Sequence, residues 1–121
     1  MKVNGNLARI RELTARLTDT FEGASIKAGD GSVYIARLYA CADFGIMKFQ
    51  ATAGAVHDKH YHPMNEWIGI GSGKLIAEMD GKKTEVHQHE VLLIPANAPH
   101  VMSYPVDTEG WVITMPKDEG F

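Results

Sequence analysis

The sequence is poor in cysteine, in long apolar runs and in clustered positive charge. Its 121 residues include one cysteine, Cys41, so an intramolecular disulfide is excluded and a reducing compartment is the simpler expectation. No segment approaches the ~18 consecutive apolar residues of a membrane-spanning helix. The densest basic segment is Lys82-Lys83 and the formal net charge is −3, which argues against a nucleic-acid partner.

The N-terminal segment also lacks the apolar stretch of a secretory signal peptide. Charged residues interrupt it at short intervals: Arg9, Arg11, Glu12, Arg16 and Asp19. We therefore expect a soluble, cytoplasmic protein with no membrane partner.

A chain of this length is typical of one domain, which we place over residues 1–121. Four apolar residues near its start recur at steps of three, three and four: Leu7, Ile10, Leu13 and Leu17. This spacing puts them on one face of a helix. It predicts a short amphipathic α-helix over about residues 6–18 that covers the rest of the fold or a subunit contact. A partner-binding helix is the alternative.

After Gly23 the pattern changes to short apolar or alternating runs separated by Gly, Asp-Gly and Pro. The predicted strands are Val33–Ala40, Ile46–Ala53, Val56–His62, Glu66–Ile70, Lys74–Met79, Lys83–Val86, Val91–Ile94, His100–Tyr104 and Trp111–Met115. Asp80-Gly81 is a hairpin signal between two of them. Many short strands after a single helix indicate an all-β sandwich or barrel.

One histidine-rich segment has the spacing of a metal site. In a strand, His60 and His62 share a face at a separation of roughly 6.6 Å along the chain. Pro63, Met64 and Asn65 then form a short turn, so that Glu66 begins the neighbouring antiparallel strand and faces back at the pair. The segment therefore predicts three metal ligands from one hairpin.

His100 is the best candidate for a fourth ligand. It follows a turn bracketed by two prolines and begins an apolar strand, in which Met102 and Tyr104 share its inward face. His57 is expected to point away from His60, because the two residues differ in strand parity. We do not expect His57, His87 or His89 to contact the metal, and Cys41 is expected to be a small core residue.

The same residues resemble the cupin family. The first cupin motif reads G, five residues, H-x-H, three or four residues, E, six residues, G. Every fixed position is matched: Gly54, His60, His62, Glu66 and Gly73. Most of the chain, from about Gly31 to Pro116, is covered by the resemblance.

The second cupin motif reads G, five residues, P-x-G, two residues, H, three residues, N. Pro95 and His100 match it, whereas His89, Asn97 and Tyr104 stand where Gly, Gly and Asn are usual. The two glycine positions of the family lie in turns, where φ is often positive. Because His and Asn tolerate such angles better than most residues, we expect both turns to keep their shape.

The resemblance implies a cupin double-stranded β-helix, that is, a jelly-roll barrel, over about residues 31–116. It implies one divalent transition metal held by His60, His62, Glu66 and His100. Imidazole and carboxylate ligands suit Fe, Mn, Ni, Zn, Co or Cu, and the sequence does not choose among them. Four such ligands would close a tetrahedral zinc site but leave two open positions in an octahedral one.

Two functions follow from this implied site. The first is an enzyme, a metal-dependent dioxygenase, isomerase or lyase that acts on a small oxygen-rich metabolite. The second is a binding or sensing cupin without catalysis. A structural metal, or no metal at all, is a third possibility. Pocket candidates are Tyr104, Met102 and Arg37. We expect a small-molecule ligand and, from the resemblance, a homodimer.

Overall fold

The computed structural model describes residues 23–116, with side chains from Ala28 onward. This part of the chain contains ten strands: β1 (Gly23–Ala28), β2 (Gly31–Ala40), β3 (Gly45–Ala51), β4 (Ala55–His60), β5 (Asn65–Ser72), β6 (Lys74–Met79), β7 (Lys82–His87), β8 (Val91–Ile94), β9 (His100–Tyr104) and β10 (Thr108–Met115). Within these residues no helix is long and apolar enough to cross a membrane. The helix predicted over residues 6–18 lies outside the described residues.

The strands form two antiparallel sheets. One has six strands in the order β1-β2-β3-β10-β5-β8, and the other has four in the order β4-β9-β6-β7. Both sheets contribute side chains to one core, among them Val33, Phe49, Ile68, Leu75, Val86, Ile94 and Met102. This is an all-β architecture of two packed antiparallel sheets, as the pattern of short strands predicts.

Alternation along the strands explains which residues reach the core. In β9, His100, Met102 and Tyr104 are buried, while the two residues between them are only half-buried. Successive side chains of a strand point to opposite faces, so one face of β9 packs inward. The prediction that these three residues share the inward face is confirmed.

The predicted strand positions agree with the structure, apart from one omission. Three predicted strands have the observed bounds, which are those of β6, β8 and β9, and the others differ by one to three residues at an end. The omitted strand is β1, which pairs along its whole length with β2. Its sequence, Gly-Ala-Ser-Ile-Lys-Ala, has one large apolar residue and therefore no visible alternation.

The prediction that β4 and β5 form a hairpin is wrong. β4 pairs with β9 in the four-stranded sheet, whereas β5 lies between β10 and β8 in the six-stranded sheet. Residues 61–64 therefore cross from one sheet to the other. The backbone N–H of Asn97 donates a 2.7 Å hydrogen bond to the carbonyl oxygen of His62, which ties this crossing segment to the turn before β9.

Candidate metal centre

The four predicted ligands lie together, although they come from different parts of the fold. His60 is the last residue of β4 and pairs with His100, the first residue of β9. His62 lies in the crossing segment, and Glu66 is the second residue of β5 in the opposite sheet. The crossing segment thus brings a donor from each sheet to the same place.

The three imidazoles form a close cluster. The ring centroid of His100 lies 4.3 Å from that of His60 and 5.2 Å from that of His62. One ring nitrogen of each lies within 4.8 Å of the others, which is a spacing that could hold a metal ion. Glu66 adjoins the cluster, because its Oε2 is 2.6 Å from Nε2 of His62.

Backbone hydrogen bonds fix which nitrogen of each ring faces inward. Nδ1–H of His60 donates to the Asp58 carbonyl at 2.7 Å, and Nδ1–H of His100 donates to the Ala98 carbonyl at 2.8 Å. Nδ1–H of His62 donates to the Met64 carbonyl at 3.1 Å. A carbonyl oxygen can only accept, so each neutral ring keeps its lone pair on Nε2. Metal-binding histidines are commonly oriented in this way.

The buried state of His100 provides a test of whether these residues fit a metal. The residue is 1% exposed, and its Nε2 has no hydrogen-bond partner among residues 23–116. A buried polar atom without a partner is unfavourable in a folded protein. A divalent cation at the centre of the cluster would satisfy this lone pair, and a set of imidazoles with a carboxylate suits transition metals. The residues therefore fit the group that the motif implies.

Electrostatics favours the same protonation state. Burial lowers the pKa of His100, although the hydrogen bond to Ala98 and the charge of Glu66 oppose this effect. The ring is consequently neutral near pH 7, which is the form that binds metals.

His57 lies beside the cluster, and the prediction that it points away is wrong. Its ring centroid is 5.9 Å from that of His60 and 6.5 Å from that of Tyr104. The pairing with β9 explains the error, because His57 and His60 are three positions apart while their partners, Met102 and His100, are two positions apart. This bulge adds a residue and turns both histidines to one side. Burial lowers the pKa of His57, and the nearby His60 adds to this effect.

A cavity of about 310 Å³ opens onto the cluster. It is lined by Val33, Ile35, Arg37, Met47, Phe49, His57, His60, His62, Glu66, Ile68, Met102, Tyr104 and Val112. The three predicted pocket candidates, Arg37, Met102 and Tyr104, are all among these residues. Whether they contact a substrate stays a prediction.

Tyr104 has a mainly structural environment. It is 3% exposed and its ring packs against Phe49 at a centroid distance of 5.7 Å. Burial raises the pKa of its phenol well above the ordinary value, and the charge of Glu66 raises it further. The hydroxyl therefore stays protonated and is not a base at neutral pH.

The two unusual residues of the second motif adopt the backbone predicted for them. His89 has a φ of 69° and Asn97 a φ of 64°, which are left-handed values. The turns of the motif therefore keep their shape without glycine, as expected. Asn97 thereby retains the turn that precedes His100.

The remaining histidines and the cysteine lie away from the cavity. His87 and His89 are exposed, and Nε2 of His87 is 3.3 Å from Glu85. Cys41 is half-buried and is not part of the buried core, so the expectation that it is a core residue is wrong, and it does not line the cavity either. Trp67 pairs across the strands with Leu93 and Ile113 and does not line the cavity.

Comparisons with known proteins agree with the fold. An RmlC-like cupin from Shewanella frigidimarina is 17% identical with a TM-score of 0.76, covering 85% of this chain and 90% of its own. KdgF from a Halomonas species is 15% identical with a TM-score of 0.74, and the match covers 84% of this chain and 94% of KdgF. The polyketide cyclase RemF from Streptomyces resistomycificus is 15% identical with a TM-score of 0.68, and the match covers 81% of this chain and 75% of RemF. A search of curated protein sequences finds no match.

The family itself is shown by a sequence model. The model of the cupin domain matches residues 47–114, which is more than half of the chain and includes all four predicted ligands. The fold, the two motifs and this match agree, and the chain belongs to the cupin family.

Proposed function

We propose that this cupin binds one divalent transition metal through His60, His62, Glu66 and His100 and acts on a small molecule held in the adjoining cavity. The observation that carries the proposal is the orientation of the three histidines. Each donates Nδ1–H to a backbone carbonyl and keeps its Nε2 lone pair for the cluster. This pre-organisation is typical of metal ligands and has no evident purpose in a simple core.

The reaction class that we favour is that of a dioxygenase, isomerase or lyase. A bound divalent metal would supply Lewis acidity to an oxygen of the substrate. The protein's own residues would hold the ion, exclude water with the apolar cavity walls and orient the substrate. RemF, a structural neighbour, is by name a polyketide cyclase, so the fold is compatible with an enzyme.

Metal analysis of the purified protein tests the site. We expect about one equivalent of metal in the wild type and a large loss in the His62→Ala variant. His87→Ala is the matched control, because His87 is an exposed histidine away from the cavity. Unchanged metal content in His62→Ala would show that the site is wrongly assigned.

Activity assays then test catalysis. The metal-loaded protein is incubated with diketones, thiols, flavonols, keto-sugars and uronates, and products are followed by mass spectrometry. Turnover of one class, lost in His62→Ala and kept in His87→Ala, would support an enzyme. Absence of turnover across all of them would count against it.

A binding or sensing cupin without catalysis is the second candidate. Outside the ligand set, the ionisable side chains that line the cavity are Arg37, His57 and Tyr104. A guanidinium group is not a base and Tyr104 stays protonated at neutral pH, so His57 is the one remaining base. Retention of a specific metabolite through purification without conversion would favour this second function.

We also propose that the protein forms a homodimer. Apolar side chains lie on the outer face of the six-stranded sheet, where Trp111 and Leu93 are exposed and Trp67 is half-buried. Such a patch is typical of a subunit contact. Light scattering at several concentrations tests this, and a mass of about 13.3 kDa would contradict it.

A further inference from the structure

The cavity wall is largely apolar beyond the predicted metal ligands. Seven of its thirteen lining residues are apolar: Val33, Ile35, Met47, Phe49, Ile68, Met102 and Val112. Six of them lie on β2, β3, β5 and β10 of the six-stranded sheet, and Met102 lies on β9 of the other, so the six-stranded sheet provides most of the apolar surface.

One row of the six-stranded sheet shows how this surface is arranged. Arg37 pairs with Met47, Met47 with Val112, and Val112 with Ile68 across four neighbouring strands. All four residues line the cavity. The next lining residue of β5 after Ile68 is Glu66, two positions along the strand. Met47, Val112 and Ile68 therefore form an apolar floor between Arg37 on β2 and Glu66 on β5.

This wall disfavours a sugar or another polyol. Each hydroxyl that enters the cavity leaves water and needs a new hydrogen-bond partner. Apart from the predicted metal ligands, the lining offers three polar side chains: Arg37, His57 and Tyr104. Every hydroxyl left without a partner would weaken binding by about tenfold or more. An apolar body, in contrast, gains from leaving water on the same surface.

The charges of the lining favour an anion. Arg37 is its one cationic side chain and Glu66 its one carboxylate, so these two charges offset each other. A divalent metal on the histidine cluster would then leave the cavity with an excess of positive charge. Along β2, Val33 is buried, Ile35 is half-buried and Arg37 is exposed, which places Arg37 at the solvent end of this wall.

We propose that the cavity takes a small anion whose oxygen donors are confined to one end and whose body is aromatic or branched aliphatic. The class is that of an aryl- or alkyl-substituted keto acid, hydroxy acid or enolate, and not a sugar acid. The inference rests on the proposed function, because the oxygen-bearing end of the ligand would meet the metal. It narrows the substrate class from any oxygen-rich molecule to one whose oxygen atoms lie at one end. A volume of about 310 Å³ is at the small end for ligand cavities and suits a compact ligand.

Calorimetric titration of the metal-loaded protein with three probes tests the proposal. Benzoylformate has a keto-acid end and a phenyl body, pyruvate has the same end without the body, and glucuronate is a sugar acid. We expect benzoylformate to bind at least tenfold more tightly than pyruvate and glucuronate to bind no better than pyruvate. Glucuronate binding as tightly as benzoylformate would overturn the proposal.

Two substitutions by threonine test whether the apolar cavity wall causes the tighter binding of benzoylformate. Val112→Thr places a hydroxyl in the cavity wall, and we expect it to weaken benzoylformate by about tenfold and pyruvate much less. Ile113→Thr is the control, because Ile113 is the next residue of β10, is also half-buried and does not line the cavity. Thermal denaturation of both variants checks that they fold. Equal effects of the two substitutions on benzoylformate would contradict the proposal.

A second pair of variants tests the role of charge. Arg37→Gln is expected to weaken benzoylformate several-fold, whereas Lys48→Gln is expected to leave it unchanged, because Lys48 lies outside the cavity lining. No difference between these variants would remove the charge argument and overturn the anionic part of the proposal.

The metal content of the same samples distinguishes failure of the proposed function from failure of the proposed ligand class. If the protein takes up no metal, the proposed function fails. In that case, benzoylformate binding to the metal-free protein that is weakened by Val112→Thr would still support an apolar ligand cavity. If benzoylformate does not bind at all, the proposal of an apolar ligand cavity is overturned as well. If metal is bound and glucuronate is preferred, the proposed function stands and this inference fails.

Discussion

Replacement of Glu66 by glutamine tests the one predicted ligand that is not a histidine. Glu66 is 8% exposed, and it is the one carboxylate beside three imidazoles that are neutral when they bind metal. Glu66→Gln keeps the shape of the side chain and removes its charge. Because Ile68 and the β5 pairings are untouched, the variant should keep the fold while the donor set loses its anion.

The size of the effect follows from the number of ligands. Four-ligand zinc sites bind with about 10–16 kcal/mol, so one ligand accounts for roughly 2.5–4 kcal/mol. At ~1.4 kcal/mol per factor of ten, this corresponds to a loss of about 100-fold in affinity, or somewhat more. The amide oxygen of glutamine is a weaker, neutral donor, which places the expected value near the lower end.

Competition with a chromophoric chelator measures the affinity of wild type, Glu66→Gln and a control for Zn(II), Ni(II) and Co(II). Glu85→Gln is the control, because Glu85 is an exposed carboxylate that pairs with Lys74 at 2.9 Å away from the cavity. Metal-induced thermal stabilisation should fall in parallel for Glu66→Gln. An affinity within threefold of wild type in Glu66→Gln would refute the reasoning and leave a centre of three histidines alone.

Three further predictions concern the fold and its response to pH. Gly69→Ala should destabilise the protein by about 1–3 kcal/mol in urea denaturation, because the new Cβ would overlap the Trp111 ring. Gly71→Ala should be milder, because its Cβ would meet the Glu109 carbonyl oxygen at 3.5 Å. Asn97→Val should cost about 1–2 kcal/mol at a φ of 64°, and Asn97→Gly should be tolerated; equal melting temperatures would contradict this. Burial lowers the pKa of His57 in the folded protein below the value of 6.5 in the unfolded chain. As the pH falls below 6.5, His57 is therefore protonated in the unfolded chain before it is protonated in the folded one, and the metal-free protein should lose stability. His57→Gln should flatten this decline in melting temperature between pH 7 and 5, and an unchanged slope would argue against it.

Local patterns in the sequence were sufficient for most of the fold. The strands β6, β8 and β9 have clear apolar alternation or turn signals at both ends, so their bounds could be predicted. The left-handed backbone of His89 and Asn97 could also be predicted, since it depends on the residue type and on its place in a motif.

Features that depend on pairing between distant strands could not be predicted. The bulge that brings His57 to the cavity exists only in the register of β4 against β9, and that register involves residues forty or more positions apart. The crossing between sheets at residues 61–64 has the same origin. Pro63 predicts a turn there, but nothing local tells whether the next strand returns beside β4 or joins the opposite sheet.

The crossing has a consequence for the folding of the protein. His60 and His100 belong to one sheet, Glu66 belongs to the other, and His62 lies on the segment that joins them. The four donors therefore come together only after the two layers have packed, and a partly folded chain has no complete site. An ion held by all four would fasten the layers together at this end of the sandwich. Metal occupancy would then slow the separation of the sheets, and hydrogen exchange in β4, β5 and β9 would slow with it.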